Sequence, residues 1–251
     1  MTEEDAMADD AREVAPGTRL VIVRHGEAVS NVEDLIGGHK GCRGLTMRGV
    51  AQCEALAERL GTTGELDGAA AVWTSVLPRA IESAAIIAKA IGFDVVEQSC
   101  SLCEQHPGEA DGISWAEFER RYARVSLPGS DPEIPLSPGG ESWVAFLDRA
   151  ATGLLDVASR APGQLVVVIS HGGVVAASMI RFLGLPDNGA GAQLHAENTS
   201  ITEWVRTGYR WRLVRFNDVA HLGGSGREAV RSVVPAWVDE EIDRSAVDQQ
   251  V

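Results

Sequence analysis

Two short apolar runs constrain this chain more than any other feature, because each one ends in a histidine followed by glycine. Leu20-Val21-Ile22-Val23 leads into Arg24-His25-Gly26, and Leu165-Val166-Val167-Val168-Ile169 leads into Ser170-His171-Gly172-Gly173. Unbroken, β-branched runs of this length mark strands buried on both faces, as in a parallel sheet covered by helices. Elsewhere the apolar spacing switches to the helical period. Thr46 is placed to cap a helix over 47–60, with Val50, Cys53, Ala57 and Leu60 on one stripe. Pro78 opens a second helix lined by Ile81, Ala84, Ala85, Ala88 and Ile91, and 141–159 repeats the pattern with Val144, Leu147, Ala151 and Leu154. Short strands are expected over 69–74 and near Val95-Val96, helices over 114–124 and 173–183, and a closing hairpin of 200–206 with 210–216. Pro128, Pro132, Pro135 and Pro138 make 126–140 a loop. The order β-α-β-α-β-α-α-β-α-β-β predicts an α/β fold, a three-layer α/β/α sandwich with a mostly parallel central sheet.

Charge sharpens the domain limits. The net charge is -14, but residues 1–10 hold five acids and no base, and 239–248 hold five acids against Arg244 alone, leaving about -5 for the body. Residues 1–17 therefore read as a disordered acidic lead, 18–222 as the folded domain and 223–251 as an appended acidic tail. No clustered basic surface invites nucleic acid or an anionic membrane. No apolar run approaches the ~18 residues of a membrane span and no signal peptide is visible, so a cytoplasmic location is expected. Nothing in the sequence decides whether the chain forms a homodimer.

In an open parallel sheet ligands bind beyond the C-terminal strand ends, so both imidazoles are expected in one crevice. Glycines after each histidine permit close backbone approach, and a helix starting near Gly173 offers free N–H groups to an anion. Arg24 precedes the first histidine. Arg79 lies one turn into the helix opened by Pro78, where a cation opposes the helix dipole unless an anion sits between them. A guanidinium matches phosphate oxygens in bidentate fashion. Cys100 and Cys103 form a CxxC that is open to redox chemistry or half a zinc site, but Cys42 and Cys53 are spaced unlike a second half, and inert thiols are the favoured reading. His39, His106, His195 and His221 show no recognised ligand spacing and are expected at the surface or the substrate rim. No metal and no cofactor is expected in the chemistry.

The motifs Arg24-His25-Gly26-Glu27 with Asn31, and Gly44-Leu45-Thr46-x-x-Gly49-x-x-Gln52, resemble the opening of the histidine phosphatase superfamily, the phosphoglycerate mutase-like fold. Thr74-Ser75-Val76-Leu77-Pro78-Arg79-Ala80 is similar to its second arginine motif. Leu102-Cys103-Glu104 with Gly108 and Asp111-Gly112 is similar to its acidic motif, and Ser170-His171-Gly172 to its second histidine motif. The resemblance spans residues 20–205. It implies that His25 attacks phosphorus to give a phosphohistidine, that Arg24, Arg79 and His171 hold the non-bridging oxygens, and that Glu104 is the general acid. Asn31 and Gly172 are then expected against the substrate. Glu27 is a rival acid or substrate contact whose position also suits a structural role. Attack requires a neutral imidazole, which the two arginines would favour by like-charge repulsion.

Mutases and phosphatases share this scaffold, so the fold does not choose between them. The segment from Glu104 to Gly112 adds Glu109 and Asp111 and contains no arginine, which should repel a bisphosphate. It resembles the Gly-x-x-Glu-Gly pattern of the phosphatase branch, with Asp111 in place of the usual Glu. Hydrolysis of a small-molecule phosphomonoester is the expected reaction. The alternatives are a cofactor-dependent phosphoglycerate mutase and a weakly active phospholigand-binding protein.

Overall fold

The computed structural model describes residues 17–122, 131–187 and 194–227. Six strands form one sheet in the order β3-β2-β4-β1-β5-β6, with β1 at Thr18–Arg24, β2 at Ala71–Thr74, β3 at Glu97–Gln98, β4 at Leu165–Ser170, β5 at Ile201–Thr207 and β6 at Arg210–Asp218. The pairs β2/β3, β2/β4 and β1/β4 are parallel. The closing hairpin β5/β6 adds antiparallel pairing to β1.

Alternation along β1 shows why both faces are buried. Leu20 and Ile22 face the layer of α5 (Trp143–Ser159) and α6 (Gly172–Leu183), against Phe146, Leu147, Leu154 and Val175. Val21 and Val23 face α2 (Met47–Thr63) and α3 (Pro78–Ala90), against Cys53, Leu56, Leu60 and Ile87. The expected three-layer sandwich is what forms, since a two-faced apolar strand requires a helix layer on each side. Each helix start follows its local chemistry. Thr46 Oγ1 accepts from the Gly49 amide and Ser142 Oγ from the Ala145 amide, while Pro78 occupies the first turn of α3.

Two elements depart from the sequence reading. The strand expected near Val95-Val96 lies two residues on, at Glu97–Gln98. Val95 is 75 % exposed. An edge strand of two residues is set by backbone pairing to Trp73 and Thr74, not by its own apolarity. A one-turn helix, α1 (Val29–Val32), was not expected; it is closed by Asn31 Oδ1 accepting from the Ala28 amide. The helix expected over 114–124 is present as α4, Trp115–Tyr122, and residues 123 and 124 lie outside the described residues. Of the proline-rich loop, 131–140 is irregular backbone and 126–130 lies outside the described residues. Most of the tail is likewise outside them, although a 3-10 segment over Ala220–Arg227 crosses the expected boundary at 222.

The Arg24-to-Glu27 segment is held where α2 crosses it at backbone contact. A Cβ on Gly49 would lie 2.0 Å from the Glu27 carbonyl oxygen, so only glycine fits there. Glu27 is fixed from several sides: its amide donates to Gln52 Oε1, and its carboxylate accepts from Thr46 Oγ1 and pairs with Arg48. Gly61, also within α2, faces open space. Gly49→Ala should therefore cost about 2–3 kcal/mol by overpacking, while Gly61→Ala should be neutral or gain up to about 1 kcal/mol from helix propensity. Urea unfolding of both variants checks the contrast. Equal effects would show that the α2 crossing is not a tight contact.

Candidate active site

β1 and β4 pair in parallel with Arg24 opposite Ser170. The next residue on each strand is a histidine, and the His25 amide donates to the Ser170 carbonyl at 2.9 Å. The two imidazoles consequently meet edge to face, with ring centroids 5.2 Å apart. Both are buried, at 3 % exposure for His25 and 0 % for His171. Arg79 comes from the first turn of α3, beyond the end of β2, and is itself only 4 % exposed. Strand order thus brings Arg24, His25, Arg79 and His171 to one end of the sheet.

The hydrogen bonds assign a tautomer to His25. Its Nδ1 lies 2.6 Å from the Gly26 carbonyl, which can only accept, so Nδ1 carries the proton. Nε2 is left with its lone pair, and Arg79 Nε donates to it at 3.0 Å. Arg79 Nη1 also donates to the Gly37 carbonyl. His171 Nε2 bonds Ser75 Oγ at 2.7 Å, and its buried Nδ1 has no protein partner. Arg24 Nη1 donates to the Ala196 carbonyl, while its buried Nε is likewise unpartnered. Buried polar groups of a native protein are normally satisfied, and the unmatched Arg24 Nε donor beside the two imidazoles marks a place for an anion.

Burial lowers the pKa of His25 well below the ordinary imidazole value, followed in size by repulsion from Arg79 and then from Arg24. Like-charge repulsion was the expected cause, and it acts in that direction, but desolvation outweighs it. His171 is lowered in the same way, first by burial, then by Arg79 and His25.

Glu104 follows a 3-10 turn, Cys100–Leu102, and reaches α6. Its Oε2 accepts from the Gly173 amide at 3.0 Å and its Oε1 from the Gln105 amide at 3.1 Å. The helix terminus expected to cradle an external anion therefore holds Glu104 through Gly173. A Cβ at Gly173 would lie 2.0 Å from Glu104 Oε1, so glycine is required for that approach. Gly172 sits against Arg24, where a Cβ would find Nε at 3.5 Å. Asn31 caps α1 with its Oδ1. The Glu27 carboxylate is turned to Thr46 and Arg48, contacts that suit the structural role.

Several residues hold the site through contacts that the sequence did not signal. Ser75 orients His171 and accepts from the Leu77 amide. Asn198 Nδ2 donates to the His25 carbonyl. Arg149 of α5 donates to the carbonyls of Cys100, Ser101, Cys103 and Glu104, clamping the turn that carries the acid, while also pairing with Glu141. Asp111 accepts from the amides of Gly38, Lys40 and Gly41. It organises that loop, which gives the carboxylate a structural role. His221 bonds Thr199 and His195 lies by Glu197. His39 and His106 instead converge on the CxxC, with Cys100 Sγ 3.7 Å and 3.4 Å from their Nε2 atoms. The spacing Cys100-x-x-Cys103-x-x-His106 was the available signal.

Comparison with known proteins agrees with this geometry. The family model of the histidine phosphatase superfamily (branch 1) matches residues 20–219. The chain belongs to the histidine phosphatase superfamily. It is 32% identical over 223 residues to a metal-independent phosphoserine phosphatase of Arabidopsis thaliana, covering 87% of this chain and 89% of the relative. A phosphoglycerate mutase-like protein from the same plant is also 32% identical, over 82% of this chain and 88% of its own length. The structure of a mycobacterial glucosyl-3-phosphoglycerate phosphatase superposes with a TM-score of 0.68 at 28% identity, covering 80% of this chain and 99% of that one. With family, fold and pocket in accord, this histidine phosphatase is an enzyme that hydrolyses phosphate esters. No helix among the described residues is long and apolar enough to cross a membrane.

The two neutral histidines carry a cost that depends on pH. Below about 6.5 each imidazole takes up a proton in the unfolded chain but not in the folded one, because its folded pKa is depressed. Their effect is absent above that pH. It destabilises the fold progressively as pH falls toward the folded values, by up to about 1.4 kcal/mol per pH unit for each histidine. Urea unfolding at pH 7.5 and 5.5 should show a steeper loss for the wild type than for a His25→Ala/His171→Ala double variant. Parallel slopes would contradict the neutral assignment.

Proposed function

We propose that this enzyme hydrolyses a small-molecule phosphomonoester through a phosphohistidine at His25 Nε2, with Glu104 moving the protons. The observation that carries the reading is the His25 tautomer. The proton on Nδ1 is committed to the Gly26 carbonyl, which leaves Nε2 as the nucleophilic atom beside Arg79 and His171. Substrate phosphate would take the Arg79 contact away from Nε2 and would also engage Arg24 Nε, a buried nitrogen without a protein partner; His171, whose Nε2 donates to Ser75 Oγ, would join it once Nδ1 takes up a proton. These groups supply the electrostatic stabilisation on which phosphoryl transfer mainly depends.

In the first step Nε2 attacks phosphorus in line. The N–P bond forms as the ester P–O bond breaks, and protonated Glu104 gives its proton to the leaving alkoxide. In the second, Glu104 takes a proton from water, whose oxygen attacks phosphorus and breaks the N–P bond, releasing phosphate and restoring His25. No step draws on a metal. Asn31 and Gly172 are proposed to lie against the bound ester. The four free cysteines, two of them adjacent on the CxxC, support a reducing, cytoplasmic setting. The names of the relatives, a phosphoserine phosphatase and a glucosyl-3-phosphoglycerate phosphatase, support a small phosphomonoester over a protein, nucleic acid or membrane substrate. A mutase reading is weaker, because no arginine lies between Glu104 and Gly112 to grip a second anionic group.

Wild-type protein should release phosphate from a generic aryl phosphate in the presence of EDTA, and His25→Ala should lose that activity. Rapid acid-free quench should trap a base-stable, acid-labile phosphoenzyme in the wild type alone. Glu104→Gln should lower turnover of alkyl esters by roughly 10²–10⁴-fold and that of aryl esters less, since an aryl leaving group needs little protonation. Equal turnover by wild type and His25→Ala would overturn the nucleophile. Dependence on a bisphosphorylated primer without net phosphate release would favour the mutase.

A further inference from the structure

We propose that His39, Cys100, Cys103 and His106 form a Cys2His2 site for one zinc ion, a structural clasp outside the phosphate pocket. One ligand atom from each of the four side chains lies within 4.8 Å of all the others. The two sulfur–nitrogen distances, 3.7 Å and 3.4 Å from Cys100 Sγ to the imidazole Nε2 atoms, have the length of two of the six edges of a tetrahedral site. With Zn–S of about 2.3 Å and Zn–N of about 2.0–2.1 Å, such an edge is roughly 3.6 Å. Two thiolates and two imidazoles favour zinc over magnesium or calcium, which take oxygen ligands.

The ligands are positioned by groups that are not themselves ligands. His39 sits in the loop whose Gly38, Lys40 and Gly41 amides all donate to Asp111, so the backbone on both sides of it is fixed. The Cys100–Cys103 turn is clamped through its carbonyls by Arg149. His106 is held twice by Glu141: its amide donates to Oε2 at 2.9 Å, and its Nδ1 lies 3.5 Å from Oε1, leaving Nε2 turned to the sulfur. A carboxylate behind a ligating histidine, with Arg149 behind the carboxylate, is the outer shell that fixes tautomer and ring orientation at metal sites. On binding, Zn–S bonds replace the two S–H bonds and both protons pass to the solvent.

The location explains what such an ion would do. Cys103 is adjacent in sequence to Glu104, and its sulfur accepts from Ser75 Oγ, which bonds His171. The His39 loop includes Gly37, whose carbonyl accepts from Arg79. The ion would therefore fasten the segment bearing the proton donor to the loop that positions Arg79, without touching phosphorus.

Tag-free full-length protein, reduced, loaded with zinc sulfate and desalted, should retain about one equivalent of zinc by elemental analysis. Cobalt substitution should give the intense d–d bands of a tetrahedral site together with thiolate-to-cobalt charge transfer. Cys100→Ser and His39→Ala, both at exposed positions, should lose the equivalent while keeping the wild-type circular dichroism. Zinc should raise the Tm of the wild type and leave that of Cys100→Ser unmoved. His25→Ala should keep its full equivalent, so this result stands or falls separately from the phosphatase mechanism. Folded, reduced wild type that retains no metal would overturn the proposal, as would cobalt bands without charge transfer or unchanged stoichiometry in both variants. A Cys100–Cys103 disulfide in protein prepared under reducing conditions would also count against it.

Discussion

The in-register parallel pairing of β1 with β4 is the constraint on which the site depends. Arg24 lies opposite Ser170, and this alone puts the two following histidines side by side. The register is not fixed by a turn, because the strands are joined across most of the chain. It is fixed by burial. Leu20 to Val23 are fully buried, with Arg19 and Arg24 at either end of the run. A slip of one residue would exchange the side chains facing the two helix layers and draw an arginine toward the sheet interior. Pairing of β2 with β4 in turn sets Ser75 beneath His171 and starts α3 where Arg79 reaches His25.

That placement concentrates cations where they are costly. Buried Arg79, half-buried Arg24 and two imidazoles share one strand-end cleft, and the protein answers mainly with carbonyl oxygens, from Ala196 to Arg24 and from Gly37 to Arg79. Glu104 and Glu197 add favourable charge at Arg24. The histidines respond by remaining neutral, which is also the form that can attack phosphorus. Arg24 Nε and His171 Nδ1 are left over. A site shaped for a phosphoryl group is thus slightly under-satisfied without one, as expected when binding geometry is favoured over stability.

The central strands, the main helices and the four pocket residues were legible in the sequence because burial and chemistry coincide at strand ends. Apolar runs expose the strands, Thr46 and Pro78 expose two helix starts, and Arg24, His25, Arg79 and His171 follow from where strands stop. The remainder depends on which loops meet, and periodicity carries no information about that. Arg149 is an ordinary basic residue of an amphipathic helix until its guanidinium is found on four carbonyls. His39 lies 61 residues from Cys100, and only the folded chain brings them together. Two-residue β3 was displaced from its expected position because a backbone ladder at an edge needs no apolar pair.

The choice between hydrolysis and mutase chemistry also shifts its footing once the loops are seen. Extra acids between Glu104 and Gly112 looked like a field against a second phosphate. Asp111 is instead occupied by three loop amides, Gln105 Nε2 donates to the Glu141 carbonyl, and His106 is held by Glu141. Apart from exposed Glu109, the polar groups that follow Glu104 are turned to scaffold. A mutase needs this stretch to grip the second anionic group and keep the phosphoenzyme from water. A segment already committed to bracing its own turn has little left with which to grip a second anionic group, so the case against mutase chemistry rests on geometry more than on charge.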